Sequence, residues 1–267
     1  MGYHHEDSAR WSGRHEGKDQ LRDETWQALE DGGVNVGPVW SRIPNFVGAD
    51  MAAMRLASLP AWKQAKVVKC NPDPPQIPVR LRALYDGKLL YTPVPELVKG
   101  FPFVLLDPAV LKKDDISFEL AATSQGAVAY GQPVHFEDML PMDFLVVGCV
   151  AITTQGGRTG KGGGFADLEL GIFRELGKVP AHAVVVSTVH ELQVVPDERI
   201  AMLAHDSPLD FVATPERLIE TNSPFPCPAG VAWDMVQDDQ IRDIPFLLEL
   251  KDRLIRRRSQ TNANLSH

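Results

Sequence analysis

Apolar residues recur along this chain in two rhythms. The stretch "KDQLRDETWQAL" carries Leu21, Trp26 and Leu29 at helical spacing, which predicts a helix over Lys18–Leu29. "ADMAAMRLASL", a short segment over Val79–Leu84, "FADLELGIFRELG" and "DERIAMLA" are read as helices as well. Between them lie short apolar runs closed by turn residues: "AKVVKCN", "KLLYTP", "FPFVLLDP", "DFLVVGCVAI", "HAVVVSTVH" and "LDFVATP". Runs of this kind suit strands buried on both faces of a sheet covered by helices. Their alternation with helices predicts an α/β fold, a three-layer sandwich with a mainly parallel sheet. No repeat or long linker divides the pattern. One domain over residues 18–258 is expected, with a flexible arm at 1–17 and a flexible tail at 259–267.

One segment breaks both rhythms. "GGRTGKGGG", residues 156–164, holds six glycines in nine positions and runs straight into a helix pattern. Glycine lets backbone N–H groups turn toward a ligand with no Cβ in the way. A helix N-terminus adds unpaired N–H groups and a positive dipole end. Arg158 and Lys161 add full positive charge, so the segment reads as an anion cradle whose natural guest is phosphate. It is not a Walker A loop. The interval from Gly156 to Gly160 is one residue short, and Gly162 stands where the magnesium-binding hydroxyl belongs. Asp167 falls in the first helical turn. A carboxylate there is favoured by the helix dipole, typically by about 0.3–1 kcal/mol; it also suits a magnesium ion bridged to phosphate. Spacing leaves both readings open.

Composition narrows the partners. The chain has 267 residues and a formal charge of −8, which disfavours nucleic acid as a partner. The one basic run, Arg253–Arg258, is read as closing a C-terminal helix, where cations complement the dipole. No stretch is long and apolar enough for a membrane span, and "MGYHHEDSARWSGRHEGK" has no apolar signal-peptide core. Three cysteines far apart, Cys70, Cys149 and Cys227, suggest neither a zinc site nor a disulfide framework. A cytoplasmic protein acting on a small molecule, as monomer or homodimer, is expected. His4, His5 and His15 are read as part of a solvated arm.

The loop "RTGKGGGFAD" resembles the R-x-G-[RK]-G-x-G-Y-Y-D loop of the 5-formyltetrahydrofolate cyclo-ligase family. Lys18 and Arg22 match the K-x-x-x-R that opens family sequences, and "LAHDSPLDFVATPERLI" matches a late stretch in which a His-Asp pair precedes a strand. The resemblance covers about residues 18–235. It implies a fold shared with the sugar-phosphate isomerase and CoA-transferase group (NagB/RpiA-like), and an enzyme that uses MgATP. It places Lys18, Arg22, Arg158, Gly160, Lys161, Gly162, Gly163, Gly164 and Asp167 around the nucleotide, with Asp167 at the metal and Arg158, Lys161 and Asp167 catalytic. The implied reaction converts 5-formyltetrahydrofolate, ATP-dependently, to 5,10-methenyltetrahydrofolate with release of ADP and phosphate. Such chemistry needs charge stabilisation and positioning more than a nucleophile–base pair.

The departures lie on the other side of the site. The family's paired tyrosines are Phe165 and Ala166 here, Leu168 stands for an arginine, and an acidic substrate segment is replaced at Gln76–Val79. "GKGGGFADLE", "RIPNFVGAD", "KCNPDPPQ", "ATSQG" and "VHELQVV" resemble a paralogous branch, the methenyltetrahydrofolate synthetase domain-containing proteins, associated with thiamin metabolism. The resemblance therefore leaves three outcomes: the cyclo-ligase reaction, the same chemistry on another small molecule, or a nucleotide-binding regulatory protein without turnover. Arg42, Gln76, Gln125, Phe165, His190 and Gln193 are the candidates for the second substrate. His205 and Asp206 are read as pocket wall or as a turn.

Overall fold

The computed structural model describes residues 13–94 and 102–265, with side chains described through 257. In chain order, helices α1 (Glu16–Asp31), α2 (Ala49–Leu56) and α3 (Pro60–Gln64) precede strand β1 (Val67–Cys70). Helix α4 (Ile77–Tyr85), strands β2 (Leu89–Pro93) and β3 (Phe103–Leu106), helices α5 (Pro108–Lys113), α6 (Phe118–Ala121) and α7 (Ser124–Tyr130), and strands β4 (Gln132–Val134) and β5 (Phe144–Val146) follow. Next come β6 (Ala151–Thr153), β7 (Arg158–Thr159), α8 (Phe165–Glu175), β8 (Val184–Thr188), β9 (Val194–Val195), β10 (Phe211–Ala213) and β11 (Leu218–Glu220). Helices α9 (Asp238–Asp243) and α10 (Leu247–Leu265) close the chain.

Eight strands form one sheet in the order β11-β10-β8-β5-β1-β2-β3-β4. The five from β10 to β2 are parallel, and the edges are antiparallel. Alternation along each strand sends neighbouring side chains to opposite faces. Val68 and Cys70 pack in a core with Ala52, Leu56, Trp62, Ala83 and Phe118. Val67, Leu145 and Val185 pack on the other face with Leu170, Phe173, Leu250 and Leu254. Helices therefore cover both faces, as the apolar runs predict. A second sheet, β7-β6-β9, lies under α1, where Leu21 meets Ala151 and Ile200, and Trp26 meets Ile43 and Val150.

The strand order reverses at β1. From it the chain moves through β2, β3 and β4 on one side, then returns to place β5, β8 and β10 on the other. Crevices at such a reversal, beyond the carboxyl ends of the strands, are where ligands gather in open α/β sheets. Asn71 and Asp73 follow β1 into that crevice, and the chain after β5 feeds the β6–β7 hairpin and the glycine loop.

Five sequence expectations need correction. The first helix starts at Glu16 and ends at Asp31, so residues 13–17 belong to the folded body; residues 1–12, including His4 and His5, lie outside the described residues. The run "DFLVVGCVAI" is not one strand. It breaks between Val147 and Val150, where the chain leaves the large sheet for the small one, and Gly148 packs so closely against Ile43 and Asp73 that a Cβ there would meet both at 3.0 Å. "DERIAMLA" forms only a 3-10 turn over Asp197–Arg199, because Ile200 then turns inward against Leu21 and Ala151. Arg158 lies on β7 rather than in the flexible loop. Helix α10 continues through residue 265, so the basic run sits inside it and the expected tail is largely helical.

Candidate functional site

A cleft of about 220 Å³ opens at this crevice. One wall is the glycine loop, residues 160–164, and the start of α8. Gly164 caps α8 with φ +69° and Gly162 has φ +107°, both in the region that only glycine enters freely. Among the described residues, the backbone N–H groups of Lys161, Gly162, Gly163 and Gly164 have no acceptor. Four successive open amides at a helix N-terminus make an anion-binding concavity.

The charges around it are largely prepaired. Lys18, on the buried face of α1, reaches Asp206, whose Oδ2 also accepts from Leu203 N–H at 2.8 Å. Arg22, 4% exposed, donates to Thr159 Oγ1 at 2.9 Å and to the Gly160 carbonyl, and pairs with Asp19. Arg158 crosses beneath the loop, donating through Nε to the Ser207 carbonyl at 2.7 Å and pairing with Asp167. Burial works against the Arg158 charge, but Asp167, Cys149 and Asp206 more than offset it and hold the guanidinium protonated beyond its usual range. Arg14 donates to the carbonyls of Gly162 and Gly163 at 3.3 and 3.0 Å and meets Asp239 at 2.5 Å. Lys161 is the exception: its half-buried ammonium has no partner among the described residues.

Asp167 sits at the third position of α8. Its Oδ1 accepts from Arg158 and from Ser207 N–H at 2.8 Å, while Oδ2 has no partner among the described residues. The carboxylate thus fixes Arg158 and keeps one oxygen open beside the cradle. Among the described residues no group of three or more His, Cys, Asp or Glu side chains could hold a metal by itself.

Beneath the cleft Lys69 of β1 meets Glu169 of α8 at 2.6 Å, both fully or almost fully buried, and Lys69 also donates to Asn71 Oδ1 at 2.5 Å. Burial raises the Glu169 carboxyl above the usual range despite this partner. The pair ties α8 to the sheet.

The rest of the lining is apolar, with Ile43, Val231, Ala232, Met235 and Val236 beside Phe165, Ala166 and Leu168 of the first turn of α8. All nine residues expected at the nucleotide, and Phe165, line this cleft, as do His205 and Asp206. The other five candidates do not line it. Arg42 and Gln125 are exposed elsewhere. Gln76 is fully buried against Thr188 at 3.4 Å. His190 caps the turn after β8 through Nδ1, with its ring against Phe46. Gln193, 1% exposed, holds the carbonyls of Cys149 and Val150 at 3.0 Å each. Both are scaffold for the crossing between the two sheets.

Sequence reading did not place Arg14, Asn71, Asp73 or residues 230–240 in the site. Asn71 and Asp73 were findable, because they end a central strand. Arg14 and the 230–240 segment carry no local signal of their own. Among the described residues no helix is long and apolar enough to cross a membrane.

The chain is 36% identical over 236 residues to the Bos taurus methenyltetrahydrofolate synthase domain-containing protein, and 36% identical over 238 residues to the Mus musculus protein of that name. The matches cover 88% of this chain in both cases and 62% and 63% of those proteins, so the chain spans somewhat less than two thirds of these relatives. The solved structure of Aquifex aeolicus 5,10-methenyltetrahydrofolate synthetase aligns with a TM-score of 0.48 at 21% identity, covering 80% of this chain and 95% of that one. The sequence model of the 5-formyltetrahydrofolate cyclo-ligase family matches residues 14–215, from the strap before α1 to the turn after β10, and the chain belongs to that family.

Proposed function

We propose that this protein is an MgATP-dependent ligase of cyclo-ligase type, with 5-formyltetrahydrofolate as its first candidate substrate. The observation that carries the reading is the glycine loop: four amides, an ammonium and one carboxylate oxygen, all without partners among the described residues, converge at the N-terminus of α8. The residues fit a polyphosphate. Lys161 and the amides of 161–164 would hold its anionic oxygens, while Arg158, Arg22 and Lys18 set the positive field around them. They also fit a magnesium ion that arrives with the phosphates, since Asp167 Oδ2 supplies one carboxylate oxygen and Mg²⁺ takes few protein ligands.

In this reading an ATP held there would supply the phosphoryl group that activates the formyl oxygen, with ADP as leaving group, and phosphate would leave when N10 of the folate closes the ring. The chain's own work is positional. The amides and Lys161 hold the phosphates in line with the acceptor oxygen, and the rigid Arg158–Asp167 pair keeps the cradle from relaxing as charge moves. No side chain is required as a nucleophile. The test is phosphate release from MgATP by the pure protein with and without 5-formyltetrahydrofolate, with the methenyl product followed by absorbance. Product and phosphate appearing together, and both lost in Lys161→Ala, are expected; MgATP that fails to bind would sink the reading.

A second reading keeps the phosphoryl chemistry and changes the acceptor. The lining beside the cradle is apolar at Ala166, Leu168, Val231 and Met235, and Gln76 is packed away from the cleft. This favours a substrate other than folate, with an apolar ring against that wall, thiamin-related compounds included. MgATP binding without methenyl product is the result it predicts.

A further inference from the structure

The glycine loop does not hold its shape alone. Among the described residues its amides have no acceptor, but its carbonyls are fastened from outside. Arg14 donates to the Gly162 and Gly163 carbonyls, and Gln240 Nε2 donates to the same Gly163 carbonyl at 2.8 Å. Asp239 joins the two fasteners. Its Oδ2 meets Arg14 at 2.5 Å, and its Oδ1 accepts from Gln240 N–H at 3.0 Å. Gln240 is buried, and its Oε1 accepts from Gln237 N–H at 3.0 Å, so its amide is fixed at both ends. A Cβ at Gly164 would come within 3.3 Å of Gln240 Nε2. Two segments far apart in sequence, one before α1 and one in α9, thus meet on one face of the loop.

A peptide unit presents its N–H opposite its C=O, so pinning consecutive carbonyls on one side fixes where the intervening amides point. An untethered glycine run would sample many such orientations. We propose that Arg14, Asp239 and Gln240 form a latch that positions the glycine loop, keeping its amides presented to a polyphosphate in the cleft. Arg14 and Gln240 both line the cleft, whereas Asp239 does not and acts through them; all three are positioning residues for the loop. The proposal rests on the phosphate reading above. It adds α9, which lies beyond the family match at residues 14–215, to the machinery of the cradle.

The test uses the full chain and two mild substitutions, Asp239→Asn and Gln240→Leu. Neither creates nor removes a trypsin site, so cleavage after Lys161 reports loop order without any ligand. Binding of inorganic tripolyphosphate with Mg²⁺ reports the cradle, and thermal melting reports the rest of the fold. Both variants should be cut after Lys161 faster than the wild type and bind tripolyphosphate on the order of tenfold more weakly, with melting nearly unchanged, because each loses a buried or charge-assisted hydrogen bond. A broad fall in melting temperature for one variant makes the other decisive. Wild-type cleavage rates in both variants would overturn the latch. Faster cleavage with unchanged affinity would overturn its positioning role. If the wild type does not bind tripolyphosphate, the phosphate reading itself fails, while accelerated cleavage would still identify a structural clasp.

Discussion

The two walls of the cleft are held by different physics. On the glycine-loop wall, charge is fixed by geometry: Lys18, Arg22, Arg158 and Arg14 each meet a carboxylate, and the backbone supplies the open donors. On the apolar wall, Val231, Ala232, Met235 and Val236 come from a segment between β11 and α9 that is neither helix nor strand, and Met235 is 46% exposed. Hydrogen bonds and ion pairs are directional, so the first wall tolerates little change in residue type. Apolar contact is not directional, so the second can change its side chains while the scaffold stays put. The difference teaches where specificity can drift. A fixed phosphate wall beside a permissive ring wall is suited to one chemistry on several acceptors.

The largest effect tests the joint beneath both walls. Lys69→Met would leave the Glu169 carboxylate buried without its partner, a change that costs about 3–5 kcal/mol where buried pairs have been broken. Denaturant unfolding should show that loss, and Lys69→Met with Glu169→Leu should regain most of it. A single variant as stable as the wild type would mean that the pair does not anchor α8. Next in size is the cradle. Lys161→Ala should weaken MgATP by on the order of tenfold to a hundredfold while leaving melting unchanged, because a half-buried ammonium with no partner among the described residues contributes to binding and not to folding. Ala166→Tyr in the apolar lining should leave MgATP affinity nearly as it is. Equal losses in the two variants would erase the distinction between the walls.

Much of the first wall was legible because its signal is local. Glycines ahead of an amphipathic helix, with a lysine among them and an aspartate in the first turn, state their chemistry within a dozen residues. The large sheet was legible for a similar reason, since its runs are apolar on both faces and bounded by turns. Legibility failed wherever a residue's role depends on distant partners. "DFLVVGCVAI" reads as one strand because both of its halves are buried, and only Gly148 marks where it changes sheets. His190 and Gln193 follow a strand toward the cleft side of the sheet, yet His190 spends Nδ1 on backbone in its own turn and Gln193 spends its amide nitrogen on the Cys149 and Val150 carbonyls, 44 and 43 positions away. Arg14 stands among mixed charges like any solvated residue, and its partners Gly163 and Asp239 are 149 and 225 positions away.

A smaller effect should fall on the permissive wall. Met235→Ala removes apolar contact without disturbing a hydrogen bond, so it should raise KM for the second substrate by roughly tenfold or less, within what one pocket contact is worth. KM for MgATP should not move. A matching rise in both constants would mean that residues 230–236 shape the cradle as well as the ring side.

The smallest effect separates a scaffold histidine from a site histidine. Burial holds the His190 imidazole below its ordinary value of 6.5, against the opposing pull of Glu191 and Glu216. The folded state therefore favours the neutral ring, as its cap requires, because Nδ1 must be unprotonated to accept from Leu192 N–H at 3.2 Å. The stabilisation is present above the unfolded value and is lost as pH falls through the lower folded one, so acid should weaken the fold below about pH 6.5. His190→Asn keeps a cap acceptor and removes the titration. Its melting temperature should fall less than that of the wild type between about pH 7.5 and about pH 5.5, with KM for both substrates unchanged. A KM that shifts while the pH dependence of melting stays as in the wild type would return His190 to the substrate pocket and dissolve the division between the cradle residues and the scaffold behind them.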